Sequence, residues 1–174
     1  MIQSIQNSVH NFAVWLVGLV GLGEAFADYV YVLFISMIPI IELRGAMPAA
    51  SVLGLPFLSS LIVAIIGNLL PIPFILLFIK KICEWMKKVK FLKKIPLYLE
   101  KKVAQNKEKV TKYGKWGLYI FVAIPLPGTG AWTGALIASF LNFKNRDSFI
   151  AIAGGVVTAG VIMTIISYLP HVIF

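Results

Sequence analysis

Hydrophobic residues run along this chain in long blocks, and two of the blocks are broken in the middle in a similar way. Apolar arms at 29–41 and 45–55 flank Glu42-Leu43-Arg44, with Pro39 before the charges and Pro48 after them. A second pair of arms, 117–127 and 129–141, flanks the stretch Pro125-Leu126-Pro127-Gly128-Thr129-Gly130. None of these arms reaches the about 20 residues that a spanning helix needs. Each broken block is followed by an intact one, 57–79 and 148–169, and both of these are long enough to span. Pro71 and Pro73 predict a kink in the first, and Pro170 predicts the end of the second. A shorter apolar block, 9–23, closes at Glu24 and Asp28 and either crosses with tilt or lies in the interface.

Between residues 80 and 115 the pattern changes. Ile82, Trp85, Met86, Val89 and Leu92 recur at helical spacing with lysines between them, and Pro96 interrupts the run. The pattern predicts one or two amphipathic helices on an anionic membrane surface, with a solvated helical linker as the alternative.

Composition fixes the class. Of the 174 residues 59% are hydrophobic and 13% charged, an apolar excess that belongs to a polytopic membrane protein. The net charge of +9 is concentrated: 13 of 16 basic residues fall between Lys80 and Lys115, and Lys144 and Arg146 separate the last two apolar blocks. A basic run between membrane segments follows the positive-inside bias and does not call for a nucleic-acid partner. A single cysteine, Cys83, and two distant histidines, His10 and His171, leave no metal-ligand cluster, so no metal, cofactor or enzymatic centre is expected. Met1–Val9 carries no basic residue, and no secretory signal pattern is expected there.

Charge also selects a topology. If both broken blocks crossed as ordinary helices, the two basic loops would fall on opposite sides of the membrane. If each block enters and leaves on one side, both loops are cytoplasmic, as the bias prefers. Trp85, Tyr113 and Trp116 would then flank the cytoplasmic face, and Tyr29, Tyr31 and Tyr168 the outer one. The prediction is two re-entrant hairpins in opposite orientation, each followed by a transmembrane helix. Ile38-Pro39 matches Ile124-Pro125, and Ala64-Ile65-Ile66-Gly67 resembles Ala151-Ile152-Ala153-Gly154, a faint internal repeat.

Glu42 and Arg44 are the sharpest candidates for chemistry, because ionisable groups at membrane depth are costly. At i and i+2 they do not share a helix face, and Gly45 suggests an unwound tip where they converge. Glu42 would then carry a proton and Arg44 would bind a phosphate or carboxylate. The alternative is a structural ion pair closing the tip. Pro125, Pro127, Gly128, Thr129 and Gly130 form either an anion-binding helix start at Thr129 or a plain tight turn. Gly130 and Gly134 permit close helix packing. Trp132 packs or lines a path, and Asn68 makes an interhelical hydrogen bond or lines the same path.

The stretch Ile41-Glu42-Leu43-Arg44-Gly45-Ala46-Met47-Pro48, with Gly54, Pro56, Gly67-Asn68, Pro71 and Pro73, resembles the small multidrug export protein family. Ala123-Ile124-Pro125-Leu126-Pro127-Gly128-Thr129-Gly130-Ala131-Trp132 fits it too. That family is distantly similar to the DedA/VTT membrane proteins, and the likeness implies opposed re-entrant hairpins, lipid translocation and proton coupling. DedA proteins carry arginines around the proline-glycine of the second hairpin, whereas here the cation, Arg44, lies in the first.

The expectation is an all-α integral membrane protein of the cell's cytoplasmic membrane, with two inverted repeats and an additional N-terminal helix. It would move an amphipathic anionic substrate such as a lipid phosphate through an alternating-access site at the two tips. Export of small drugs with Glu42 as counter-ion is the alternative, and a non-transporting assembly factor a third. Membrane lipids and a second copy in a homodimer are the expected partners.

Overall fold

A computed structural model describes residues 2–20, 24–88, 94–126 and 128–173, and every regular element among them is helical. The order is α1 Ile2–Val20, α2 Glu24–Met37, α3 Glu42–Val52, α4 Phe57–Leu69, α5 Ile72–Lys88, α6 Lys94–Thr111, α7 Gly114–Ala123, α8 Ala131–Phe140 and α9 Asn145–Ile173. Two apolar segments are long enough to cross a membrane, Phe57–Lys88 and Asn145–Leu169, and only 33% and 28% of their apolar windows are buried. Outward apolar surface of this kind, including Leu58, Ile62 and Ile66 on α4, suits a lipid solvent.

The chain forms two compact units, Met1–Leu70 with Ala159–Phe174, and Pro71–Thr158. In the first, α2 packs on α1, α3 and α4. Tyr29 near the start of α2 hydrogen-bonds Ser59 near the start of α4 at 3.0 Å. Leu33 and Ser36 near its end face Gly67 near the end of α4. The two helices therefore run in the same direction, and α3 turns back to the point where α4 begins. Ser51 Oγ donates to the Ser167 carbonyl of α9 at 2.8 Å, and Tyr168 OH donates to the Leu55 carbonyl at 3.0 Å. A Cβ on Gly67 would lie 2.0 Å from Ser36 Oγ and 2.5 Å from the Leu33 carbonyl oxygen, so only glycine fits there.

In the second unit α7 and the first half of α9 repeat that relation. Tyr119 OH and Thr158 Oγ1 lie 2.8 Å apart. A Cβ on Gly155 would meet Val122 Cβ at 2.7 Å and the Tyr119 carbonyl oxygen at 2.9 Å. Gly134 of α8 packs against Val122 with the same closeness, which is the close packing expected of it. Ser139 Oγ donates to the Leu76 carbonyl of α5 at 3.1 Å, and Lys80 donates to Asn142 Oδ1.

Helices α3 and α8 end alike. Gly54 and Asn142 take φ of +70° and +58°. Gly54 and Leu55 N–H return to Ser51 and Ala50 carbonyls, and Asn142 and Phe143 N–H return to Ser139 and Ala138, all at 3.0–3.1 Å. These are paired Schellman closures.

Several boundaries differ from the sequence-based expectation. The N-terminal helix covers Ile2–Val20 and takes in the polar start, and Gly23 lies outside the described residues. Pro71 and Pro73 separate α4 from α5, since neither can donate a ladder bond. Pro96 does not interrupt a helix: it is the third residue of α6, in the first turn where proline is tolerated. Val89 and Leu92 lie outside the described residues. Pro170 does not end α9, which continues to Ile173.

The two glycine contacts predict asymmetric cost. Gly155→Ala is expected to lower thermal stability in detergent by about 1–3 kcal/mol, as overpacking does. Gly18→Ala, which meets nothing within 4 Å, is expected to leave it unchanged or slightly raised.

Candidate functional site

The first tip is built where α2 stops. Ile38 N–H still reaches the Ile35 carbonyl at 3.2 Å, and Pro39 and Ile40 then leave the helix. Ile40 has φ of +85° and Glu42 of +49°. A β-branched residue in the left-handed region is an outlier, and two such non-glycine residues store on the order of 1–3 kcal/mol each. Ile40 is 86% exposed and Glu42 only 4%.

Glu42 is the first residue of α3 and Arg44 the third, half-buried in the same first turn. The carboxylate and guanidinium are close enough to interact electrostatically. Their i, i+2 spacing does not forbid this, because the φ of Glu42 lies outside the helical range. The two charges lie at the start of a helix and not in the unwound loop expected for them. Gly45 and Pro48 are within α3 and not at the tip. Gly45 is required there by space: a Cβ would lie 2.2 Å from Ile41 Cγ2. Pro48 has no N–H to return to the Arg44 carbonyl, so α3 lacks that ladder bond.

The other face of α3 borders a cavity of about 500 Å³ lined by Gln6, His10, Tyr31, Gly45, Pro48 and Ala49, among others. His10 Nε2 lies 3.5 Å from Asp28 Oδ1 and packs edge-on against the ring of Tyr31, which is buried and does not stand in an exposed belt.

The second tip is made of backbone. Ile124 is extended at ψ 116°, as a residue before proline must be. Leu126 N–H reaches the Ile124 carbonyl at 2.8 Å. Thr129 is not the start of the second arm: it stays in the loop, its Oγ1 2.9 and 2.8 Å from the Ile124 and Leu126 carbonyls. Gly128 and Gly130 have φ of +85° and +125°, which glycine alone adopts freely. Helix α8 begins at Ala131 after Gly130, whose missing side chain supplies no cap. Trp132 sits half-buried in the first turn of α8. Pro127 lies outside the described residues. Asn68 is buried on α4 with its Oδ1 unpartnered, so that atom does not make the expected interhelical bond. Among the described residues no group of three potential metal ligands occurs.

The sequence profile of a family described as "Putative small multi-drug export protein" matches residues 42–162, most of the chain, starting at the buried carboxylate and covering the second tip. The chain belongs to this family. Neither a curated protein nor a solved structure matches it. Membership in an export family, with two apolar segments long enough to span, makes this a membrane protein of transporter type.

The sequence reading of this family member missed the buried serines and the His10–Asp28 pair. The serines had a signal. Ala50-Ser51-Val52-Leu53 and Ala138-Ser139-Phe140-Leu141 share one register, which also aligns Ser60 with Ser148 and Gly67 with Gly155. Gly67 and Gly155 are alike in leaving no room for a Cβ, the first against Ser36 and Leu33 and the second against Val122 and Tyr119.

The strain at the first tip can be measured. Ile40→Gly is expected to raise the unfolding midpoint by about 1 kcal/mol equivalent, whereas Ile66→Gly, in the middle of exposed α4, is expected to lower it by at least as much. Equal losses would show that Ile40 carries no strain.

Proposed function

We propose that the protein is a proton-coupled membrane transporter, not an enzyme, that moves an amphipathic anionic substrate of lipid-phosphate type. Glu42 carries the proton and Arg44 binds the anion. The observation that carries this reading is a carboxylate 4% exposed, at a strained helix start, beside a half-buried guanidinium in an otherwise uncharged block, 29–55. A buried pair of this kind gains little stability over a well-packed apolar one, so its retention favours a working role.

Each unit acts as one copy of a hairpin-plus-helix repeat, and each hairpin is re-entrant. Arms of 10–14 residues, about 15–20 Å long, reach only to mid-bilayer. The second hairpin opens on the cytoplasmic face of the cell's inner membrane, together with the 80–115 segment and Lys144 and Arg146. Lipids are the surrounding partners, and a homodimer covers part of the outward apolar surface.

Purified protein in proton-tight vesicles tests the chemistry. Proton-driven movement of a labelled lipid phosphate should fall to background with Glu42→Gln. Arg44→Ala should weaken the substrate's apparent affinity by roughly 10–100-fold, the value of lost charge-assisted bonds. Family membership favours a second reading, export of small cationic drugs with Glu42 as counter-ion. Drug efflux that survives Arg44→Ala but not Glu42→Gln would establish it in place of the first.

Topology has its own assay. In a Cys83→Ser background, Asn145→Cys should react only with reagent presented to the cytoplasmic side. Reaction from outside alone removes the re-entrant arrangement.

A further inference from the structure

We infer that the second unit carries an anionic-headgroup site, separate from the Glu42–Arg44 tip, where the first turns of α7 and α9 meet. A cavity of about 260 Å³ is lined by Gly114, Lys115, Phe143, Lys144, Asp147 and Ser148, among others. Two helix N-termini therefore border one space. Neither is closed by a side chain in the usual way. The N-cap of α7 is Tyr113, which makes no side-chain cap bond. The first ladder bond of α9 runs from Ser148 N–H to the Lys144 carbonyl at 2.9 Å, so Lys144 is its N-cap and offers no acceptor. The amides of residues 145–147 are then donors that the helix itself does not use. Both helix dipoles place positive potential at the cavity.

Ser148 supplies the independent sign of a ligand. It is 1% exposed, lines the cavity, and its Oγ has no partner. The serine in the same register of the other unit behaves differently: Ser60 Oγ donates to the Pro56 carbonyl at 2.8 Å. A buried hydroxyl left without a partner costs about 1–3 kcal/mol, and a phosphate oxygen that parts the cavity wall over Ser148 Oγ would recover it. Lys115, Lys144 and neighbouring Arg146 outweigh the one carboxylate, Asp147.

The ligand is a phosphate group, and the surroundings choose a lipid over a free ion. A second cavity of about 250 Å³ shares Lys115 and Asp147 and continues along Trp116, Tyr119 and Ile150. Trp116 and Ile150 are 66% and 60% exposed, an apolar strip on which an acyl chain can lie. Because Asn145–Leu169 is a candidate span, its N-terminal end lies at headgroup level. The site would hold an anionic phospholipid at that surface.

The full chain in neutral detergent is titrated with dioleoyl phosphatidylglycerol, with phosphatidylcholine of the same chains as control, and binding is read by native mass spectrometry and thermal shift. Phosphatidylglycerol should bind more tightly, and Lys115→Gln with Lys144→Gln should weaken it on the order of tenfold. The same charge change at exposed Lys88 and Lys101 should cost little. Ser148→Ala should weaken binding several-fold without lowering the stability of the lipid-free protein. Equal losses from both lysine pairs would mean diffuse attraction and overturn the site, as would undiminished binding in the Lys115/Lys144 variant. Competition by millimolar inorganic phosphate would assign recognition to the phosphate group alone. Its absence, with the lysine dependence kept, would assign it to the whole lipid.

Discussion

A peptide group left unpaired in hydrocarbon costs several kcal/mol, and that cost governs how this chain can break its helices. It breaks them repeatedly, and the breaks are closed locally. Helices α3 and α8 end in Schellman turns that return two N–H groups each to the last carbonyls. At the second tip the Thr129 hydroxyl lies within hydrogen-bond reach of the Ile124 and Leu126 carbonyls. Ser51 and Ser139 reach to carbonyls of neighbouring helices. Gly67 and Gly155 let one backbone lie against another, so that short arms with little apolar area are held by close contact. Small polar and small apolar residues thus do in this chain what large side chains do in a water-soluble core.

The same constraint explains what was legible in the sequence. Long apolar blocks, their interruptions and the basic segment are visible because a bilayer demands contiguous apolarity of known length. Glu42 and Arg44 also stand out, from the expense of charge in such a block, but their place at the start of a helix does not. Glycine and proline at positions 45 and 48 read as a loop, yet both are in the helix, where a Cβ on Gly45 would meet Ile41 Cγ2 at 2.2 Å. Pro96 reads as a break but occupies the first turn of α6. Such distinctions depend on neighbours that periodicity does not contain. The His10–Asp28 pair is a tertiary fact with no local signature. The close approach at Gly67 and Gly155 is likewise tertiary, since only the neighbouring helix shows that a Cβ has no room.

The two tips solve one geometric problem with different chemistry. The second uses glycine wherever φ is positive and leaves its polarity in the backbone. The first places Ile40 and Glu42 in the same region of φ and carries charge on side chains. Glycine at position 40 would cost the fold nothing locally, so the strain there is not an economy of folding. Strain of this kind persists where the surroundings over-determine a conformation, and such places cluster at sites of function.

The weakness of α3 points the same way. Its first turn bears the charges: Glu42 and Gly45 N–H return to the Ile38 and Ile41 carbonyls at 3.0 Å, and the Arg44 carbonyl is the one left without its ladder bond. Gly45 contributes no side-chain packing, and Pro48 removes the bond to the Arg44 carbonyl. Beyond Pro48 the helix is secured by its Schellman end and by Ser51. Pro48 thus separates the charged first turn of α3 from its closed end.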